Sequence, residues 1–216
     1  MRAHVWRHHR EDHGGLISDA LRRHGVEVEE YLVGPFSSPP VDDASDFLVV
    51  LGSSESVYDP TISWISQELQ EMQRLLERGV RVLGICFGAQ MLCVLHGGRV
   101  EKAPIGELGW YDVQSKTPQI AQGPWFQYHY DRCELPARAE IVAHSEIAVQ
   151  AFTIGRHVGV QFHPEVDATQ LRDWFAHDAD ARRSGADIDE FIRTAVAREV
   201  ELKTNADQLV EFYLSR

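Results

Sequence analysis

Two apolar runs with a helical pattern between them constrain the fold of this chain more than any other feature of the sequence. The run DFLVVLG ends at Gly52, and the run VRVLGI ends at Ile85. A short continuous apolar run next to glycine is typical of a strand buried on both faces of a sheet. The order strand, helix, strand predicts a right-handed βαβ unit with parallel strands. The helix is indicated by apolar residues at helical spacing, namely Ile62, Ile65, Leu69, Met72 and Leu76.

The same alternation is present nearer the N-terminus. Residues 3–6 fit a short strand, and an apolar helical stripe from Leu16 to Leu21 stops before Gly25. The run VEVEEYLV then begins with the alternation of a strand. Strands that alternate with helices of about a dozen residues predict a mostly parallel central sheet with helices on both faces.

The pattern changes in the second half of the chain. Between Arg99 and Gln161 there are short extended runs, WYDVQS, EIVAHS, AVQAFTI and HVGVQF, which predict antiparallel strands added to the sheet. From about residue 167 to residue 216 the apolar residues follow helical spacing, which predicts a helical tail. We therefore expect residues 1–216 to form a single α/β domain.

Composition narrows the classes of partner. The 216-residue chain carries a formal net charge of −12, which disfavours nucleic acid as a partner because nucleic-acid-binding proteins usually present a basic surface. No apolar stretch approaches the about 18 residues of a membrane span. The start, MRAHVWRHHREDHGG, lacks the apolar block of a secretory signal. We therefore expect a cytoplasmic protein without a membrane partner, acting on small molecules or with other proteins.

One of the three cysteines has the surroundings of a nucleophile. Cys86 follows a predicted strand and precedes a predicted helix, with Gly84 and Gly88 on either side. Small residues allow the sharp strand-to-helix turn that exposes a reactive side chain, and a helix N-terminus stabilises a thiolate. Free cysteine is often a buried packing residue, and we interpret Cys93 and Cys133 in that way.

A cysteine nucleophile needs a base and a group that orients the base. The segment VGVQFHPEV supplies both types of side chain at the end of a predicted strand. Glu165 follows His163 by two residues, so its carboxylate can point back at the imidazole if the segment is extended.

Together, GICFGAQML and QFHPEV resemble the motifs of the class I, or triad, glutamine amidotransferase family. The resemblance extends over residues 3–166 and is to free-standing members similar to the glutaminase domain of GMP synthetase. It implies a flavodoxin-like α/β fold, with Cys86 as nucleophile, His163 as general base and then acid, and Glu165 as the residue that orients His163. It also implies a thioester intermediate, with ammonia leaving first and glutamate released by water.

Catalysis of this kind needs donors for the oxyanion of the tetrahedral intermediate. The N–H of Phe87 is one candidate, and the resemblance implies the N–H of Ser53 as the second. The family often has two glycines and a proline in this loop, whereas this chain has Gly52, Ser53 and Ser54. The same match implies that Gly52 contacts the substrate, although a simple strand-end turn also explains this glycine.

Further substrate-binding residues are implied on the helix after the nucleophile and on one later strand. Gln90 lies four residues after Cys86, on the same face of the predicted helix. The strand FQYHYDRCELP resembles the family's strand at the glutamine site, and an ordinary edge strand with aromatic packing is the alternative. The residues concerned on that strand are Tyr128, His129, Tyr130 and Asp131.

Four histidines near the N-terminus raise the question of a metal site. His4, His8, His9 and His13 lack a nearby cysteine or carboxylate at the spacing of a zinc module, so we interpret them as solvated surface residues. The glycines form neither a P-loop nor a GxGxxG after the first strand. We predict no metal and no cofactor.

Three functions fit these observations. The first is a glutaminase that acts on L-glutamine and gives ammonia to a separate synthase, since no segment after Glu165 resembles an ATP-using synthetase. The second is a stand-alone γ-glutamyl peptidase or hydrolase that acts on a γ-glutamyl compound. The third is a non-catalytic regulatory subunit, and the intact set Cys86, His163 and Glu165 counts against it.

Overall fold

The computed structural model describes residues 1–40, 45–178, 181 and 185–216. Strands and helices alternate through the first half of this chain, as the sequence predicts. The strands are β1 (Arg2–Arg7), β2 (Glu27–Leu32), β3 (Phe47–Val50), β4 (Arg81–Ile85), β5 (Arg99–Tyr111), β6 (Gln114–Ser115), β7 (Trp125–Glu134), β8 (Glu140–His144), β9 (Val149–Ile154) and β10 (His157–Val160). The helices are α1 (Gly15–Arg23), α2 (Ser63–Glu77), α3 (Phe87–Leu95), α4 (Ala168–His177), α5 (Ile188–Ala197) and α6 (Glu199–Leu214).

A large mixed sheet forms the centre of the fold. Within the described residues its strand order is β2-β1-β3-β4-β10-β9-β8-β6. The five strands from β2 to β10 pair parallel with one another, whereas β9 pairs antiparallel with β10, and β8 and β6 continue the sheet with antiparallel pairing. The predicted α/β class, with a mostly parallel sheet and added antiparallel strands, is therefore confirmed.

Two details of the second half differ from the sequence-based expectation. The strand β10, in the run HVGVQF, pairs parallel with β4 through Val158 and Leu83, so only its β9 side is antiparallel. The strands β5 and β7 do not extend the large sheet but form a separate antiparallel ribbon. The residue pattern of a strand as short as β10 does not distinguish parallel from antiparallel pairing, because both faces of a central strand are apolar.

The sheet separates two apolar cores. On one face α1 packs against α6, with buried residues such as Ile17 and Leu209. On the other face α2 and α3 cover the sheet, with buried residues such as Met72 and Leu92. The predicted tail from residue 167 onward contains α4, α5 and α6, while residues 179, 180 and 182–184 lie outside the described part. That residues 1–216 form a single domain stays a prediction.

The parallel strands bring several chain segments to one edge. The carboxyl ends of β1, β3, β4 and β10 point the same way, and ligands of open parallel sheets bind beyond such ends. The loop after β3, the turn after β4 and the segment after β10 contain the residues that the sequence singles out.

Candidate active site

Cys86 lies in the turn between β4 and α3 with a backbone conformation that is rare for its residue type. Its φ is +51° and its ψ is −105°, and among the described residues it is the only non-glycine with positive φ. A residue held in such a sparsely populated region costs about 1–3 kcal/mol. Its N–H donates to the carbonyl of Val160 at 2.8 Å, which ties the turn to the neighbouring strand β10.

The glycines on either side of Cys86 are required because the backbone of the turn lies very close to neighbouring backbone segments. A side-chain carbon at Gly84 would collide with the carbonyl of Gly88, and one at Gly88 would collide with the carbonyl of Val50. Helix α3 can therefore start directly against β3 and β4. The sequence-based prediction of a tight strand-to-helix turn is confirmed.

The thiol of Cys86 faces a confined space. Cys86 is only 5% exposed, and its Sγ lies 3.9 Å from the carbonyl oxygen of Tyr128. It occupies the position just before the first residue of α3, where backbone N–H groups lack partners within the helix and the helix dipole favours negative charge.

His163 and Glu165 follow β10 and lie beside this thiol. The backbone N–H of His163 donates to the carbonyl of Phe126 at 2.8 Å, which fixes the segment against β7. The Nδ1 of His163 lies 2.7 Å from Oε1 of Glu165, and both side chains are buried. The expected carboxylate–imidazole pair is therefore formed.

The charges around His163 favour its protonated form. Burial alone lowers the pKa of the imidazole, but the Glu165 carboxylate and the interaction with Cys86 outweigh it, and the pKa is raised well above the ordinary value of 6.5. A base with this affinity for a proton can hold the proton of the thiol.

The loop after β3 passes directly over the imidazole. A side-chain carbon at Gly52 would lie 2.9 Å from Cε1 of His163 and 3.7 Å from Cβ of Cys86, so only glycine fits. Ser53 follows, with its Oγ accepting from the N–H of Glu55 at 3.2 Å. Within the described residues, the N–H groups of Ser53 and Phe87 donate to no protein acceptor. Both groups are free to bind an oxyanion.

A cavity of about 540 Å³ connects these groups to the surface. This volume is typical of a small-molecule site. Every sequence-predicted site residue except Phe87 and Glu165 lines the cavity. Those residues are Cys86, His163, Gly52, Ser53, Gln90, Tyr128, His129, Tyr130 and Asp131.

The substrate-binding candidates occupy different depths. Gln90 is buried on the first turn of α3, whereas the Tyr130 side chain is 53% exposed. Tyr128 packs on Phe175 and hydrogen-bonds to Asp178. Asp131 accepts hydrogen bonds from Ser56 and Tyr58 at 2.7 and 3.0 Å.

His129 is placed differently from its neighbours on β7. Its side chain is fully buried, with Nε2 3.0 Å from Glu107 and Nδ1 2.9 Å from the carbonyl of Asp131. The imidazole therefore lies beside the buried carboxylate of Glu107, which accepts hydrogen bonds from Gln150 and Ser145. This contact set favours a structural role for the ring over direct contact with substrate.

Comparison with known proteins identifies the family. The sequence model of the family described as glutamine amidotransferase class-I matches residues 12–178. The chain belongs to this family.

Individual relatives extend the comparison. The chain is 32% identical over 170 residues to a GMP synthase [glutamine-hydrolyzing] of Bifidobacterium longum, covering 72% of this chain but only 30% of that protein. It is 30% identical to a subunit of GMP synthase [glutamine-hydrolyzing] from Ignicoccus hospitalis, covering 72% of this chain and 84% of the relative. A crystal structure of a glutamine amidotransferase from Thermotoga maritima superposes with a TM-score of 0.89 at 28% identity, covering 100% and 99% of the two chains.

Among the other residues that line the cavity of this amidotransferase, Asp12 and Trp174 lie close to His163, although the sequence did not single them out. The Nε1–H of Trp174 donates to Oδ1 of Asp12 at 2.7 Å, and the Trp174 ring packs edge-on against His163. Burial raises the pKa of Asp12, and the nearby Glu165 carboxylate adds to the rise, although His9 and the Trp174 hydrogen bond oppose it. Trp174 thus packs against the imidazole of His163 and is itself held by Asp12.

The N-terminal histidines of this class I amidotransferase are not the solvated group that the sequence analysis expected. His4 and His8 are buried, His13 is half-buried, and His9 lines the cavity. The expectation is wrong because His4 lies on the central strand β1, whose two faces are both covered, and His8 directly follows that strand and is covered by Trp64 and Phe87. No set of three candidate metal ligands occurs among the described residues, and none of their helices is long and apolar enough to cross a membrane.

Proposed function

We propose that this chain hydrolyses the side-chain amide of glutamine through a thioester on Cys86. The observation that supports the proposal best is the placement of Cys86, His163 and the unpartnered N–H of Ser53 around one cavity. Family membership supports the same chemistry. A binding module has no need of a strained cysteine beside a buried carboxylate–imidazole pair.

Acylation begins when the Cys86 sulfur attacks the amide carbon of glutamine and His163 takes the thiol proton. The carbonyl oxygen becomes an oxyanion, which the N–H groups of Ser53 and Phe87 stabilise. The tetrahedral intermediate then collapses, the carbon–nitrogen bond breaks, and His163 returns the proton to the departing nitrogen. Ammonia leaves, and the γ-glutamyl group remains on sulfur as a thioester.

Deacylation repeats these steps with water. His163 takes a proton from water as its oxygen attacks the thioester carbon, and the same two N–H groups bind the second oxyanion. The carbon–sulfur bond breaks, glutamate is released, and the proton returns to the Cys86 sulfur. Glu165 keeps the imidazole in one orientation through both halves of the reaction.

We infer that the ammonia passes to a separate synthase. The name of the Ignicoccus relative, a subunit of GMP synthase, supports a protein partner. Free ammonia is mostly ammonium at neutral pH and cannot attack an acceptor, so glutaminases that supply a synthase are expected to remain slow until the partner binds. The cavity mouth, near Asp131, is where the partner would receive ammonia.

The size and exposed rim of the cavity favour a second candidate, a γ-glutamyl hydrolase. Tyr58 and Tyr130 border the mouth and are 48% and 53% exposed. A substituent on the amide nitrogen of a γ-glutamyl compound would extend toward them. Such an enzyme would be fully active without a partner.

Steady-state kinetics of the purified chain separate the two candidates. Glutamine and a panel of γ-glutamyl peptides are compared by kcat/KM, with Cys86→Ala as the matched inactive control. Slow hydrolysis of glutamine and none of the peptides supports the synthase-coupled glutaminase. High partner-free kcat/KM on a peptide supports the γ-glutamyl hydrolase, and no Cys86-dependent hydrolysis of either substrate contradicts both.

A further inference from the structure

A buried pair of side chains lies behind the loop that passes over His163. His8 follows the last residue of β1, and Glu68 lies on α2, 60 residues later in the sequence. The side chains of both residues are 1% exposed. The Nε2 of His8 lies 3.1 Å from Oε2 of Glu68, and the Nδ1 of His8 lies 2.7 Å from the carbonyl oxygen of Gly52.

The second of these contacts fixes the hydrogen on the ring. A carbonyl oxygen only accepts hydrogen bonds, so Nδ1 of His8 carries a hydrogen and donates it to Gly52. The carboxyl group of Glu68 holds the other side of the ring by its contact with Nε2. The pair is therefore oriented with its donor toward the loop.

Packing prevents the imidazole from turning away. The ring stacks on Trp64 with centroids 5.5 Å apart and packs edge-on against Phe87 at 5.1 Å. Phe87 also contributes the second candidate oxyanion donor through its backbone. One histidine thus contacts both segments that supply N–H groups to the site.

The geometry of the peptide bond determines the direction in which the N–H of Ser53 points. In a trans peptide the carbonyl of one residue and the N–H of the next point in opposite directions. Because His8 holds the carbonyl of Gly52 on the buried side, the N–H of Ser53 points away from His8. Ser53 lines the cavity, and its N–H has no protein acceptor within the described residues.

We propose that His8 and Glu68 are positioning residues that hold the Gly52–Ser53 peptide with its N–H available to the oxyanion. This inference rests on the proposed amide hydrolysis. His8 does not line the cavity, and it precedes residues 12–178, the segment that matches the family model. It acts by preventing a flip of the peptide, which would replace the donor with a carbonyl oxygen.

The test compares two substitutions that remove different properties of His8. His8→Phe keeps an aromatic ring between Trp64 and Phe87 but removes the donor, whereas His8→Asn keeps an N–H near the position of Nδ1 but removes the ring. A positioning role predicts that kcat falls more in His8→Phe, toward the about 100-fold to 1,000-fold loss seen when an oxyanion donor is removed. A role in packing alone predicts the opposite order.

Two further readouts accompany kcat. KM for glutamine should remain within about twofold, because the oxyanion forms after binding. Alkylation of Cys86 by iodoacetamide should keep its rate, because this reaction forms no oxyanion.

Glu68→Gln should also lower kcat, but less than His8→Phe does, since the His8 ring keeps its contact with Gly52.

The matched control is His4→Phe. His4 is another buried histidine and lies within β1, but its ring packs on Tyr31 and it does not line the cavity. This variant should keep the wild-type kcat, with folding of every variant checked by thermal unfolding. An active wild type together with an unchanged kcat in folded His8→Phe overturns the positioning role alone. A wild-type chain that hydrolyses no γ-glutamyl amide overturns this inference together with the proposed function.

Discussion

The floor of the cavity, formed by Cys86 and His163 with Glu165 paired to the imidazole, is closed to solvent, whereas the rim, which includes Tyr130 and Lys102, is exposed. The backbone fixes the positions of the floor residues. A side-chain carbon at Gly84 or Gly88 would collide with main-chain atoms, and one at Gly52 would collide with the imidazole of His163. At the rim, Ser56 and Tyr58 are held by hydrogen bonds to the side chain of Asp131. We therefore expect floor substitutions to affect the chemical steps and rim substitutions to affect the choice of substrate.

The largest expected effect is at the nucleophile. Cys86→Ala should lower kcat by at least about 10⁴-fold, because no other group on the floor can form the thioester. An electrophilic glutamine analogue should modify Cys86 and leave Cys93 and Cys133 unmodified, measured by mass spectrometry of the intact protein and its peptides. Equal modification of Cys93 would contradict the assignment.

The second effect separates the base from the group that orients it. His163→Ala should lower kcat more than Glu165→Ala, by about tenfold to 100-fold, because an imidazole without its carboxylate can still accept a proton. The two variants are compared at matched folded fractions by single-turnover kinetics. A larger loss in Glu165→Ala would mean that the roles need to be exchanged.

The third effect concerns the pH dependence of stability. The folded state binds a proton on His163 more tightly than the unfolded chain, since its pKa is raised above 6.5. The resulting stabilisation is fully present below about pH 6.5 and is lost as pH rises through the raised pKa, at up to about 1.4 kcal/mol per pH unit. Urea unfolding from pH 6 upward should show this slope in the wild type and a weaker one in Glu165→Gln. Identical slopes would show that the carboxylate does not raise the pKa.

The smallest effect is expected at the rim. Tyr130→Ala should change KM or the preference between glutamine and a γ-glutamyl peptide by less than about tenfold while kcat stays within about twofold. Tyr111→Ala is the matched control, since Tyr111 is also exposed but does not line the cavity. A loss of kcat in Tyr130→Ala as large as that in Glu165→Ala would remove the distinction between floor and rim.

The contrast between floor and rim also explains what the sequence could predict. Cys86 was recognisable because its constraints are local, with Gly84 and Gly88 within two residues on either side. His163 and Glu165 were recognisable for the same reason, since they are only two residues apart, although the structure brings their side chains together through a turn at Pro164 and Glu165 and not along an extended segment. The direction of β10 and the separate ribbon of β5 and β7 depend on pairing between distant segments, which leaves no local pattern.

Glu68 shows where a signal was present but was not used. The buried stripe of α2 runs through Ile65, Glu68, Met72 and Leu75. Glu68 therefore stands three residues after one buried apolar residue and four before another, so a charged group lies on the apolar face of a helix. Such a residue needs a buried polar partner. Its partner, His8, could not be inferred, because the two are distant in sequence.

The backbone of Cys86 has a consequence for the evolution of this protein. Glycine adopts positive φ at little cost, so a glycine at position 86 would relieve the strain and make the fold more stable. Selection for stability alone would therefore favour glycine at this position. The proposed turnover of a substrate on the Cys86 thiol is a benefit that would offset this thermodynamic disadvantage.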